Sequence, residues 1–349
     1  MRATLIHGTR DVRVETVPDP SVQSPTDAVV RVTDALVCGS DLWPYRDCPP
    51  ERAGARIGHE FVGVVTDVGS AVSSVRPGDL VLAPFVYSDN TCPNCRNGVH
   101  TSCLAGGFWG TDGVDGGQGE AVRVPWADGT LVRLPADAAT DHALRRSLLP
   151  LTDVLPTGHH AAVSAGVAPG STVAVVGDGA VGLCGVLAAR RLGAERVILL
   201  GRNADRTALG RRFGATDVVA DRGDAAVAAV RELTGGVGAD SVLECVGTSA
   251  SMDTAYGVVR DGGTVGWVGV PHLDGPLPAR DMFSRNVGLR GGVAPVRGYL
   301  DELLPEVADG RLDPGPVLDL EVGLEDVPKA YAAMDDRAAL KAWVRVSAP

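Results

Sequence analysis

The sequence predicts an α/β protein of two domains, an antiparallel β domain followed by a doubly wound parallel sheet. Three observations predict it. At 349 residues the chain exceeds what one core serves comfortably, and a rule of roughly 150 residues per domain gives two. In the first half the apolar runs are short and alternating or β-branched, as in "DAVVRV", "FVGVVTDVG" and "GDLVLAPFV", with Gly, Pro and Asp between them. From about residue 171, "STVAVVG", "RVILLG", "TDVVA", "SVLECVG" and "TVGWVGV" are continuous apolar strands, separated by stretches of helical period such as "VGLCGVLAARRLG" and "DRTALGRRFG".

After "NVGLRGG" the regularity stops, and "LEDVPKAYAAMDDRAALKAWVRV" reads as a helix then a terminal strand, which we assign back to the first domain. The 45 glycines and 23 prolines require many tight turns and argue against a helical bundle. A net charge of -11 with no long basic run leaves no electrostatic footprint for nucleic acid or an anionic membrane, so the expected partner is a small molecule. "MRATLIHGTRDVRVETVPDP" lacks the apolar segment of a signal peptide, and no apolar run approaches membrane-spanning length, so a cytoplasmic location is expected. In that reducing compartment seven cysteines, three of them clustered, point to metal binding or catalysis before disulfides.

"VAVVGDGAVGLCGVLAARRLG" places Gly177, Gly179 and Gly182 as G-x-G-x-x-G between a buried strand and an amphipathic helix that Ala180 and Val181 open. The first glycine makes the turn, the second lets backbone approach a pyrophosphate, and the third lets helix pack on strand. A carboxylate at the end of the next strand would bond a ribose 2′-hydroxyl and repel a 2′-phosphate. "VILLGRNADR" instead offers Gly201, then Arg202, Asn203 and Arg206, which favours NADP(H) over NAD(H). The alternative is that both arginines are solvated charges at a helix start.

"CGSD", "GHE" and "LTDVLPTG" each present a zinc ligand beside a glycine or a turn. Cys38, His59 and Asp153 together supply thiolate, imidazole and carboxylate, three ligands that leave a fourth position open. Each alone is a weak signal, since a lone Cys or His is more often a buried core residue.

"CGSD", "GHE", the cysteine stretch "SDNTCPNCRNGVHTSC" and "GDGAVG", in that order, resemble the zinc-dependent medium-chain dehydrogenase/reductase family, the alcohol dehydrogenases. The resemblance spans nearly the whole chain. It implies a GroES-like catalytic β domain over 1–153 and 295–349 and a Rossmann cofactor domain over 154–294. It implies that Cys38, His59 and Asp153 hold a catalytic zinc, that Glu60 is a neighbouring carboxylate able to exchange onto the metal, and that Ser40 is the hydroxyl touching the substrate alcohol. Many members carry a His shortly after the Ser as a proton relay. Trp43 stands in that region here, leaving the cofactor ribose, water or Tyr45 as the proton exit.

The family's structural zinc lobe, laid on this stretch, keeps Cys92, Cys95 and Cys103 and puts Asp89 where its first cysteine belongs. Asp is a competent though harder ligand. A self-packed empty loop, or a site completed by His100, are the alternatives. Cys184 and Cys245 read as small buried residues and Cys48 as an exposed loop thiol. By family position Trp43, Val86, Trp109 and Ala294 line the substrate pocket, with structural loop anchors as the alternative for either tryptophan. Two indoles without a charged clamp favour an apolar or aromatic alcohol, aldehyde or ketone. An NAD-dependent formaldehyde or polyol dehydrogenase, and a non-catalytic binding protein on the same fold, are the rival readings. The family also implies a homodimer or homotetramer.

Overall fold

The computed structural model describes residues 1–111 and 113–348. The chain divides into two compact units, Met1–Asp153 with the chain from Pro295 onward, and Val154–Ala294.

The first unit is built on a seven-stranded sheet. Its order is Val132–Arg133, Leu80–Ala83, Glu60–Val68, Ala28–Leu36, Ala342–Arg345 and Leu320–Gly323, with Ala121–Val124 also pairing Ala28–Leu36. A three-stranded sheet of Asp11–Thr16, Arg2–Gly8 and Ala55–Arg56 accompanies it. Alternation fixes the faces: Ala28, Val30 and Val32 point into a core shared with Phe61, Val65, Val122 and Val344. The tail strand Ala342–Arg345 pairs antiparallel with Ala28–Leu36, Trp343 opposite Leu36 and Arg345 opposite Asp34. Asp34 is buried in mid-strand, where it accepts from Trp343 Nε1 at 2.8 Å and lies 3.2 Å from Arg145 Nε. A buried carboxylate needs such partners.

The second unit is a six-stranded parallel sheet in the order Asp217–Val219, Arg196–Leu200, Thr172–Val176, Ala239–Glu244, Val259–Trp267 and Gly288–Gly291. Thr172–Val176 and Arg196–Leu200 are buried beyond their first residue, which is why they read as unbroken apolar runs. Reading along the sheet, strand order reverses between Thr172–Val176 and Ala239–Glu244, the switch point at which such sheets bind ligands. The apolar run "NVGLRGG" becomes the edge strand Gly288–Gly291.

One expectation is corrected. The chain after "NVGLRGG" is not irregular, because Val296–Ala308 is a 13-residue helix. Val296, Leu300, Leu303 and Val307 recur at helical spacing and are buried, while Pro305 sits in the last turns and hides the pattern. No helix among the described residues is long and apolar enough to cross a membrane.

Candidate active site and metal centres

Strand register assembles the first cluster. Leu36, last of its strand, pairs with Glu60, first of the next, so Cys38 and His59 leave neighbouring strands at the same end of the sheet. Trp343, on the opposite side of Leu36, brings Lys341 to that end as well. The Leu149–Thr152 turn then delivers Asp153.

Cys38 Sγ lies 3.3 Å from Asp153 Oδ2. His59 Nε2 lies 3.5 Å from the same oxygen and 3.9 Å from Glu60 Oε1. One donor atom from each of these four residues falls within 4.8 Å of the others. Ligands of a tetrahedral zinc, bonded at about 2.0–2.3 Å, stand about 3.3–3.8 Å apart, so the set fits zinc.

The electrostatics agree with the geometry. Burial, with Asp153 and Glu60 beside it, pushes the Cys38 thiol up to about 11. Burial opposes a charged His59, yet Asp41, Cys38 and Asp153 hold it well above the ordinary histidine value. A site where burial and neighbouring carboxylates keep the proton on sulfur, and anions keep one on imidazole, is one where a divalent cation replaces those protons.

Three residues that the sequence reading did not single out support the cluster. Asp41 Oδ1 stands 3.2 Å from His59 Nδ1, and its Oδ2 accepts from the Cys38 N–H at 3.0 Å. Engaging Nδ1 leaves Nε2 to face a metal. Lys341, only 1% exposed, donates from Nζ to Glu60 Oε1 at 2.7 Å and to the Val37 carbonyl at 3.2 Å. Thr152 donates to Glu60 Oε2 at 3.2 Å. Burial works against the Lys341 charge, but Glu60, Cys38 and Asp153 together outweigh it and raise the amine above the ordinary lysine value. Asp41 was visible as the acid of "CGSD", whereas nothing near Lys341 in sequence signals its partner.

Ser40 is half-buried in the Gly39–Asp41 turn next to Cys38. Trp43 is half-buried, with the Arg46 guanidinium 5.8 Å from its ring. Tyr45 is buried against Tyr331, ring centroids 5.4 Å apart. Val86 and Trp109 are buried in the same unit. The Trp109 ring meets Phe61 and Tyr87 edge-on, and its Nε1 donates to the Pro84 carbonyl at 2.8 Å. That indole is anchored in the core. Ala294 is buried at the end of the second unit.

The cysteine lobe forms the second cluster, Asp89, Cys92, Cys95 and Cys103, whose donor atoms also lie within 4.8 Å of one another. Cys92 Sγ is 3.6 Å from Cys95 Sγ and 3.9 Å from Cys103 Sγ. The N–H groups of Asp89 and Leu104 point at Cys103 and Cys92 sulfurs, at 3.3 and 3.5 Å. Burial raises Asp89, but the Thr91 and Cys92 N–H groups and the neighbouring thiols outweigh it and hold the carboxyl at about 2. His100 does not join the cluster: its Nε2 meets Asn90 Oδ1 at 2.8 Å and its ring packs beside Gly298. Cys48 is half-buried, not exposed, because it packs on the first core with its sulfur 3.6 Å from the Pro49 carbonyl.

In the second unit Gly177 has φ +114°, a conformation that side chains rarely adopt. A Cβ on Gly182 would stand 2.0 Å from the Gly177 carbonyl oxygen. A Cβ on Gly179 would meet nothing within 4 Å, so open space lies before the uncapped N-terminus of the Ala180–Arg191 helix, on whose first turn Ala180 and Val181 are half-buried. A cradle of backbone N–H groups facing open space fits a pyrophosphate. Asn203 caps the Ala204–Arg212 helix, accepting from the Asp205 and Arg206 N–H groups. Arg202 is exposed and Arg206 half-buried.

Sequence models of the alcohol dehydrogenase GroES-like domain and of zinc-binding dehydrogenases match residues 24–136 and 180–309. A probable zinc-binding alcohol dehydrogenase of Mycobacterium tuberculosis is 38% identical over 97% of this chain and 86% of its own length. Zinc-type alcohol dehydrogenase B of Aspergillus flavus is 34% identical over 95% of this chain and 78% of its own. The solved alcohol dehydrogenase of Thermus sp. ATN1 superposes with a TM-score of 0.89 at 34% identity, covering 99% of this chain and 100% of that one. The chain belongs to the zinc-dependent medium-chain dehydrogenase/reductase family. It is an oxidoreductase of the zinc-dependent alcohol dehydrogenase type, using a nicotinamide cofactor.

Proposed function

We propose that the protein interconverts an apolar or aromatic alcohol and its aldehyde or ketone with NADP(H). The observation that carries this reading is the convergence of Cys38, His59, Glu60 and Asp153 donor atoms within 4.8 Å. Cys38, His59 and Asp153 would hold a zinc ion, which would supply Lewis-acid polarisation at the alcohol or carbonyl oxygen. Ser40, on the turn beside Cys38, passes the proton: in oxidation its oxygen accepts from the alcohol as its own hydroxyl proton leaves toward the exit route, and in reduction the relay runs in reverse. One thiolate and one carboxylate balance the two charges of the metal. Lys341 and Thr152 hold Glu60 at the edge of the ligand set, from which it can exchange inward. With Trp43 in place of a relay histidine and Tyr45 buried against Tyr331, proton exit by water or the cofactor ribose is the favoured route. Asp89, Cys92, Cys95 and Cys103 hold a second, closed zinc whose role is structural.

Gly177, Gly179 and Gly182 seat the pyrophosphate, and Arg202 and Arg206 beside Gly201 meet a 2′-phosphate. A homodimer or homotetramer is supported by the Gly288–Gly291 strand at the sheet edge and by Phe283, 86% exposed, in the preceding helix.

The test is benzyl alcohol oxidation with NADP and with NAD, before and after chelation of zinc. Turnover that chelation abolishes and zinc restores is expected. The variant Arg202→Ala/Arg206→Ala should raise KM for NADP at least about tenfold while leaving that for NAD within about twofold. Chelator-resistant turnover would rule the zinc reading out.

A further inference from the structure

In a doubly wound dinucleotide fold the acid that reads the ribose 2′-hydroxyl stands at the end of the second strand. Here the second strand is Arg196–Leu200 and the residue in that place is Gly201. The space is not empty. A Cβ on Gly201 would lie 2.5 Å from Asp178 Cβ, 3.0 Å from its Cγ and 2.9 Å from its Oδ2. Asp178 comes from the glycine loop after the first strand, inside the G-x-G pair, and is 7% exposed. Its Oδ2 accepts from the Arg202 N–H at 2.8 Å and the Asn203 N–H at 3.0 Å. A carboxylate therefore stands at the end of the second strand, delivered from the neighbouring loop.

We propose that Asp178 is the residue that reads the ribose 2′ position, so that the site keeps an acceptor for the 2′-hydroxyl of NAD(H) and accepts both nucleotides. Two effects act against a 2′-phosphate: like-charge repulsion from the carboxylate, and the loss of the Arg202 and Asn203 N–H groups, already engaged by Oδ2. Arg202 and Arg206 act in its favour. The balance between carboxylate and guanidinium groups sets the preference. Gly201 is required because a side chain there would collide with Asp178, so positions 178 and 201 can hold one carboxylate between them but not two.

This rests on the nucleotide-site reading of the same loop. The test is calorimetric binding of 2′,5′-ADP and of 5′-AMP to the wild type, to Asp178→Asn, and to the exchange variant Asp178→Gly/Gly201→Asp. Wild type should bind both fragments. Asp178→Asn, which keeps an acceptor for the two N–H groups, should shift the affinity ratio toward 2′,5′-ADP by at least about tenfold. The exchange variant, which returns a carboxylate to the same place, should shift the ratio back. A residue that only braced the turn would change both affinities by one factor. A ratio unmoved in Asp178→Asn would overturn the assignment while leaving the nucleotide site intact. Binding of neither fragment to the wild type would overturn the nucleotide-site reading and this assignment with it.

Discussion

His59 is held from two sides, by Asp41 at Nδ1 and by the Cys38–Asp153–Glu60 cluster at Nε2. Removing the Asp41 carboxylate frees the ring to turn and change tautomer. Asp41→Ala should lower zinc affinity or turnover roughly 10–100-fold, read by chelator competition on the folded protein. Lys341 and Glu60 are a buried pair, and Lys341→Met leaves the carboxylate without its charged partner, with only the Thr152 hydroxyl donating to it among the described residues. That substitution should cost roughly 3–5 kcal/mol in chemical denaturation. Cys38, His59 and Asp153 could be picked out as a candidate set because each sits beside a glycine or a turn in a short motif. Lys341 was not, since its partner is 281 positions away and only the Trp343–Leu36 pairing brings them together. Asp178 escaped for a similar reason: it occupies a variable position of the glycine motif, and its meaning comes from a contact with the next strand.

Among the elements, the first strand, turn and helix of the second unit depend on backbone contact. Gly182→Ala would drive a methyl into the Gly177 carbonyl, at a cost of about 1–3 kcal/mol. A lower unfolding midpoint and weaker nucleotide binding should appear together. Glu244, at the end of the Ala239–Glu244 strand, accepts from the Val246 and Gly247 N–H groups and is fully buried. Burial raises its carboxyl above the ordinary glutamate value. The folded state thus binds more protons than the unfolded chain from about pH 4.5 upward, and its contribution to stability falls as pH rises through the folded value. Glu244→Gln should flatten the pH dependence of the unfolding midpoint and raise it at the alkaline end; a profile parallel to wild type would contradict this. Buried parallel strands announced themselves as apolar runs. The Val296–Ala308 helix did not, because Gly298 and Pro305 interrupt a face whose period is otherwise helical.

At the scale of the molecule, the sequence carried the division into a β domain and a parallel-sheet domain through a change of hydrophobic period, from alternating to continuous. The return of the tail was weaker in pattern, because Ala342–Arg345 is short and its partner Ala28–Leu36 is distant in sequence. The first unit carries two donor clusters of different kinds. One has a mixed N, O and S set beside a buried lysine, the other three thiols and a carboxylate held by backbone N–H groups. The central claim is that each cluster holds one zinc and that only the first is catalytic. It is tested most directly by zinc content per chain, measured with benzyl alcohol turnover for wild type, Asp153→Asn and Asp89→Ala. Two zincs in wild type and one in each variant, with turnover lost in Asp153→Asn and retained in Asp89→Ala, is the predicted result. Two zincs and wild-type turnover in Asp153→Asn would contradict it.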